Sequence, residues 1–405
     1  MNRFRDNIPY DFHPPKYSPL LAPLILWISD HFMLRRTHRI TEITVSGAGK
    51  DVLAAYKRGD ALLITPNHSD HADPHVLLHL SRRFRVPLHF MAAREIFAKR
   101  GGLQGAMLQR AGIFSIDREG SDLRSIKEAL KILFEGRFPL VMFPEGEIYH
   151  LNQRLTPLNE GAATLGLRAA KRIRADGRAN GALIVPTALR FQYTPEIAKT
   201  FGPRLARLET HIGWPPQASM DLVPRIYKFG DAILSLKEIE LLNTRLEGTL
   251  HARLARLRET LVAEEEQRYF GAMADGEHPT RVRRLRGKVR SILLAGETPD
   301  AETLRSCYRS LDRLYTAVQL YSYPGQYLRE DPSRERIAET LHKFEEDLFG
   351  ENVIYGDRSV NVVFCEPIDL MPYTDAPKQD AKQTVLEITT RVENSIRAAL
   401  QPEKP

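Results

Sequence analysis

Between residues 40 and 190, short β-rich stretches alternate with stretches of helical apolar spacing, and that alternation restricts the fold more than any other feature of the chain. A segment that repeatedly exchanges a side-chain period of two for one of 3.6 has to pack helices onto a sheet. Residues 40–45, 61–65, 88–92, 113–116, 139–143 and 182–189 read as strands. Helices are expected at 74–83, 103–110 and 159–173, and over Leu123, Ile126, Leu130 and Leu133, after which Gly136 supplies a stop. The expected fold class is α/β, a sheet flanked by helices, with an N-terminal apolar helix before it and a mainly helical C-terminal extension after it.

The flanks divide the chain further. Residues 20–28, LLAPLILWI, are densely apolar, but they number roughly half of the ~20 residues a helix needs to cross a bilayer. Asp30 and His31 interrupt the run, Phe32, Met33 and Leu34 resume it, and Arg35, Arg36 and Arg39 follow. Two readings stand side by side: a segment lying in a lipid interface with its basic residues at the headgroups, or a helix packed on the main domain. Residues 1–39 are thus set apart as a membrane-association segment, 40–270 as the main domain, and 275–405 as the helical extension, with a strand-like stretch at 361–366. Residues 236–267 read as one long charged helix. Two short segments, 226–233 and 362–369, share a strand-then-turn pattern, and either can supply an edge strand to the sheet.

Composition narrows the class of partner. With 405 residues, 42% hydrophobic and 27% charged, the chain is neither a stapled miniprotein nor disordered. Its net charge of +7 is gathered at Arg82, Arg83 and Arg85, at Lys99 and Arg100, at Lys171, Arg172 and Arg174, and over 281–290. Such a balance favours acidic partners: a membrane, a phosphorylated substrate, a nucleotide or a carrier protein. The two cysteines, Cys307 and Cys365, have no disulfide or metal-ligand spacing and suit a reducing compartment. The first residues lead into Pro14, Pro15 and Pro19 rather than into a secretory core, so a cytoplasmic location is expected.

Chemistry is concentrated at strand ends, where α/β proteins keep their sites. His68 follows the apolar strand 61–65, and Asp73 lies five residues on. A short turn can fold that carboxylate onto one imidazole nitrogen while the other faces substrate, which is the logic of a general base and its orienter. Asp73 before Pro74 is equally a helix N-cap with proline at the first helical position. No serine or cysteine stands in a recognisable nucleophile elbow, which points to direct attack by a bound hydroxyl. His71, His75 and His79 raise a rival, a histidine-cluster metalloenzyme, although their spacing matches no H-E-x-x-H helix. Arg118 sits just past the strand 113–116, placed either to fork onto a phosphate or to bridge Asp117 or Glu119. Phe143, Pro144, Glu145 and Gly146 end a strand in a turn that projects one carboxylate, a substrate clamp or an ordinary turn. Val185-Pro186 puts a proline in an apolar strand and so implies an edge, a bulge or a strand end.

In order, these pieces resemble the glycerolipid acyltransferase family, which includes the 1-acyl-glycerol-3-phosphate acyltransferases. Its N-H-x-x-x-x-D motif corresponds to Asn67, His68 and Asp73; its glycine-led strand ending in arginine to Gly112 and Arg118; its F-P-E-G to Phe143 through Gly146; and its V-P to Val185 and Pro186. The likeness runs from about residue 40 to 235. It implies transfer of a fatty acyl group from acyl-CoA or acyl-carrier protein to a hydroxyl of a lysophospholipid or glycerol-phosphate-type acceptor. The membrane surface would be the partner, with no nucleic acid, and neither a metal nor a cofactor would be required. In that reading His68 takes the hydroxyl proton and Asp73 orients it, while Arg118 and the F-P-E-G turn position the acceptor.

The sequence also departs from the family. Glu147, Ile148 and Tyr149 stand where T-R-S commonly follows F-P-E-G, and Asn159-Glu160-Gly161 stands where a lysine commonly precedes the glycine. These changes leave the acceptor open between phosphorylated and unphosphorylated alcohols. They also motivate an alternative from another class, an inactive lipid-binding scaffold of the same fold.

Overall fold

Every strand expected between residues 40 and 190 is present, and all of them join one sheet. The computed structural model describes residues 10–97, 102–120, 122–295 and 299–401, so the amino-terminal residues 1–9 and the basic pair Lys99 and Arg100 lie outside the described residues. Two compact units make up the chain. One comprises Tyr10–Ile148, Asn152–Gln192 and the residues from Arg358 onward; the other comprises Tyr149–Leu151 and Tyr193–Asp357.

In the α/β unit, helix α1 (Ala22–Ile28) runs into a π-helical segment (Ser29–Thr37), and then β1 (Ile40–Gly47), α2 (Gly49–Arg58), β2 (Ala61–Pro66) and α3 (Asp73–Phe84) follow. Next come β3 (His89–Ala93), α4 (Leu103–Arg110), β4 (Ile113–Ile116), α5 (Leu123–Glu135), β5 (Leu140–Val141), α6 (Gly161–Ala175) and β6 (Ala182–Tyr193). The hydrophobic run of β2 is buried along its whole length because the strand is covered on both faces. Ala61 and Leu63 enter a core built with Leu133, Ala169 and Ile388, whereas Leu62 and Ile64 enter the opposite core with Val52, Val76 and Leu77. Each such leucine or isoleucine contributes roughly 1.5–3 kcal/mol by leaving water. Gly136 ends α5 at φ 64°, and a Cβ there would meet the Gly59 carbonyl oxygen at 2.3 Å, so glycine is required by contact as well as by backbone.

The helical unit contains α7 (Ala198–His211), α8 (Leu222–Leu242), α9 (Leu250–Phe270), α10 (His278–Leu293), α11 (Ala301–Tyr321), α12 (Tyr327–Glu330) and α13 (Arg334–Phe349). Two sequence expectations change here. Residues 226–233 lie inside α8 rather than in a strand. The single helix expected over 236–267 is two: Asn243 turns left-handed (φ 56°) to close α8, and the Thr249 hydroxyl caps α9 by accepting from Ala252 N–H. Part of the basic run 281–290 is not a free cationic face, since Arg281 in α10 is paired with Glu259 and Glu266.

The chain then returns to the sheet with β7 (Arg358–Phe364) and β8 (Ile368–Asp369) and ends in α14 (Ala381–Leu400). The strand order is β1-β7-β6-β2-β5-β3-β4, with β8 antiparallel on β6. The pairs β1–β7, β2–β5, β2–β6, β3–β4 and β3–β5 are all parallel. Within the stretch 362–369, residues 362–364 do not form the edge that the sequence pattern allows, because β7 lies inside the sheet between β1 and β6, whereas β8 adds to β6 off the main strand order. Pro186 also departs from expectation, lying within a central strand. It lies opposite Thr65, one residue before β2 ends at Pro66 opposite Thr187, and β7 ends at Phe364; the Pro186 carbonyl accepts from Cys365 N–H at 2.9 Å.

Candidate active site

Because β2, β5 and β6 are parallel neighbours, the residues following β2 and β5 emerge at one edge of the sheet, beside Pro186 and Thr187 of β6. Where β2 stops, Asn67 continues the ladder with its side chain: Leu189 N–H donates to its Oδ1 (2.7 Å), and its Nδ2 donates to the Leu189 carbonyl (3.1 Å). Asn152 repeats the device one pair further along β6, on Phe191. His68 is thereby delivered at the strand end with its backbone already fixed.

The loop from His68 to Asp73 folds on itself. Asp70 Oδ1 accepts from Ala72 N–H (2.8 Å), which closes the turn just ahead of α3, whose N-cap residue is Ala72 with no side-chain cap. Asp73 is not the N-cap that Pro74 suggests, since it lies inside the first turn of α3 with proline after it. Its fully buried carboxylate turns back, and Oδ2 accepts from Asp70 N–H (2.9 Å) and from His68 Nδ1 (2.9 Å). The His68 imidazole stacks on Phe143 with ring centroids 4.1 Å apart, and its side chain keeps 16% exposure. With Nδ1–H committed to Asp73, Nε2 is left as the acceptor. Burial, with His71 and Arg118 adding to it, pushes the imidazole down to about 3, so it is neutral across the physiological range. Burial and the neighbouring Asp70 push the Asp73 carboxyl the other way, well above the usual carboxylate range.

Glu145 supports this arrangement from below. Gly146 (φ 79°) turns the chain after β5, and the buried Glu145 carboxylate accepts from His68 N–H through Oε1 (2.6 Å) and from Thr156 N–H (3.0 Å) and the Thr156 hydroxyl through Oε2. Burial raises its pKa to about 7 against those hydrogen bonds. Both carboxylate oxygens are engaged with the protein. Pro144 is held from outside by Asn159, whose Nδ2 donates to the Pro144 carbonyl at 2.7 Å.

Arg118, just past β4, reaches the same turn. It donates to the Gly146 carbonyl (2.5 Å) and pairs with Glu147 at 3.3 Å, a partner that neither sequence reading named. His75 and His79, one helical turn apart on α3, do not converge on a shared point: His75 Nδ1 lies 2.7 Å from Ser29 Oγ, and His79 Nδ1 lies 3.0 Å from Asp30 Oδ1. Asp30 also accepts from Arg82 Nε at 2.7 Å. These contacts fasten the N-terminal segment to α3.

One residue of the site had no sequence signal. Arg358, 288 positions after Asp70, opens β7 and sends its guanidinium onto the Asp70 carboxylate at 2.6 and 3.3 Å. The remaining donors take the His38 carbonyl at 3.1 and 3.2 Å, and the guanidinium lies over the Phe191 ring. Burial alone would raise Asp70, but the guanidinium prevails and holds it well below the usual carboxylate range. Asp70 in turn presents the N–H that Asp73 accepts, so Arg358 positions the imidazole's partner through one intermediate residue.

The fold is that of an α/β protein with a mostly parallel sheet, and it carries a carboxylate–imidazole pair at the ends of its central strands. Residues 44–190 match the family model described as Acyltransferase. That match supports acyl transfer in general as the chemistry of the segment it covers. No curated protein matches the chain.

Proposed function

We propose that this protein moves a fatty acyl group from a thioester, acyl-CoA or acyl-carrier protein, to a hydroxyl of a lysophospholipid or glycerol-phosphate-type acceptor at a membrane surface. The observation that carries the reading is the 2.9 Å bond from His68 Nδ1 to Asp73, which leaves Nε2 as the proton acceptor of a half-buried imidazole. Nε2 takes the acceptor's hydroxyl proton as the oxygen attacks the thioester carbonyl. The tetrahedral intermediate collapses, the C–S bond breaks, and the imidazolium returns the proton to the leaving thiolate. The reaction balances with His68 as the sole proton carrier. Asp73 fixes the tautomer, Phe143 fixes the ring plane, and Glu145 fixes the backbone of His68. Pro144 and Gly146 shape the turn, Val185 and Pro186 form the neighbouring strand end, and Arg118 offers its exposed side to the acceptor.

A second reading of the acceptor has its own support. Glu147 already balances Arg118, which favours an alcohol carrying less negative charge than a phosphomonoester.

Membrane contact rests on the N-terminal segment. Its inner face is buried through Ala22, Ser29, Asp30 and Leu34, whereas Leu20, Leu21, Leu24, Trp27, Phe32 and Met33 are exposed beside Arg35 and Arg36. Among the described residues, no helix is long and apolar enough to cross a membrane. The segment is proposed to lie in the interface of the cytoplasmic leaflet, with the protein held peripherally.

Purified protein should release thiol from a long-chain acyl-CoA in the presence of lysophosphatidate or monoacylglycerol vesicles. His68→Ala should lower that release by about 10²–10⁴-fold. Full activity in the variant would sink the mechanism, and the preferred vesicle decides between the two acceptors. Trp27→Glu should weaken vesicle sedimentation; unchanged sedimentation would remove the interfacial role.

A further inference from the structure

The helical unit contains a cavity of about 550 Å³ that the acyl-transfer reading does not use. That size falls within the roughly 300–1,000 Å³ of small-molecule sites. Its walls come from α8, α9, α11, α13 and the stretch 323–328, all within this one unit. Along α8 the lining residues recur every three or four positions from Ile226 to Leu241, a distance of about 22 Å at the helical rise. Leu254, Leu320 and Phe344 continue the apolar lining from the other helices. The space is therefore a long apolar slot, suited to one extended acyl chain, and an apolar space of this kind is filled by an apolar ligand more readily than by water.

Charged side chains line it as well: Lys237 pairs with Glu240, Arg313 pairs with Glu264 and Glu265, and Arg309, Asp312 and Asp347 are exposed, whereas Lys343 on α13 is buried, with only 3% exposure. The ammonium donates to the Ser322 carbonyl at 2.7 Å and lies over the rings of Tyr323 and Tyr327. An ammonium has three N–H donors, so donors remain for a ligand in the slot. Burial pulls this amine down to about 8, with Glu339 and Asp347 opposing, and it stays largely protonated at neutral pH. Beside Lys343 itself, those two carboxylates bear on the ligand's charge. Tyr327 hydroxyl donates to Glu339 and Tyr323 hydroxyl to Asp347, so both are present as acceptors beside the ammonium. A third carboxylate would be repelled, whereas an uncharged carbonyl oxygen would not.

We propose that the helical unit holds one long acyl chain of an uncharged ester in this slot, the ester carbonyl accepting a hydrogen bond from Lys343. The site does not depend on His68, and its test separates the two readings. Full-length protein is titrated with 1-monooleoylglycerol and with oleate, with stoichiometry read by native mass spectrometry and affinity by displacement of a fluorescent acyl probe. Saturable binding of monooleoylglycerol is expected, at least ~10-fold tighter than oleate, and retained in His68→Ala. Lys343→Met should weaken it by ~10-fold. Gly230 lines the slot, and a Cβ there would make ordinary contact with Phe344 at 3.5 Å, so Gly230→Leu fills the space and should abolish binding while helical circular dichroism is kept. Ile233→Trp, at a partly buried lining position, repeats the test should the first variant unfold. Binding undiminished in a folded filling variant, absence of saturable binding, or preference for oleate would each overturn the proposal.

Discussion

The two units bury charge in opposite ways. In the helical unit, arginine–glutamate forks tie helix to helix: Arg204 to Glu345, Arg225 to Glu209, Arg253 to Glu238 and Arg281 to Glu266. Their partners are driven further into the charged state. Burial opposes ionisation of Glu209 and Glu266, yet the guanidinium hydrogen bonds prevail and lower both, while Arg225, Arg253 and Arg281 are raised. At the sheet edge of the α/β unit, burial wins instead: His68 is pushed down, and Asp73 and Glu145 are pushed up. Buried charge alone does not mark an active site. Groups that burial holds in the uncharged form are the candidates for one. Asp70 and Arg358 belong to the first kind although they lie beneath the second, a structural fork supporting the candidate pair.

This contrast can be broken first in the helical unit. Arg253→Met strands the fully buried Glu238 and should cost roughly 3–5 kcal/mol, while adding Glu238→Leu should restore most of the loss. Urea unfolding of the single and double variants checks it, and equal losses would show that the pair does not act as a unit. Arg358→Lys sharpens the comparison from the other side. Losing the fork should reduce kcat by about 10²-fold through a displaced Asp70 loop, with KM nearly unchanged. A KM effect alone would assign Arg358 to substrate binding.

Glu145→Gln has a smaller expected effect, about 1–3 kcal/mol of stability, because an amide cannot accept from both His68 N–H and Thr156 N–H. Thermal unfolding measures it; no loss would mean that the carboxyl is already protonated on one of those sides. The smallest effect concerns pH. Burial pushes His38, His75 and His89 down to about 4 each. The unfolded chain therefore binds more protons between pH ~6.5 and 4, so stability is complete above that window and falls as the pH drops through it. His75→Gln should flatten the slope of urea midpoint against pH over this range, and an unchanged slope would remove His75 from the account.

Much of the site was legible along the chain. His68 and Asp73 could be paired from spacing because both the strand before them and the turn between them are local. The helix-cap reading of Asp73 failed because α3 begins one residue earlier, with Ala72 at the N-cap, and the Asp73 carboxylate turns back to His68 and Asp70 N–H instead. Glu145 was recognisable as a carboxylate at a strand end, but its partners His68 and Thr156 come from two other segments. Arg358 gave no signal at all, since one arginine at the start of a strand has no period and no motif.

The sequence by itself determined the alternation of strand and helix and the placing of His68, Arg118 and Glu145 just after strands. Both follow from side-chain periods of 2 and 3.6, which are set within a few residues. Only the tertiary structure decided that β7 returns from residue 358 to lie between β1 and β6, bringing Arg358 onto Asp70 and so onto the partner of His68. Strand order and long-range ion pairs depend on which buried surfaces meet once the chain has closed on itself, and no local period encodes that.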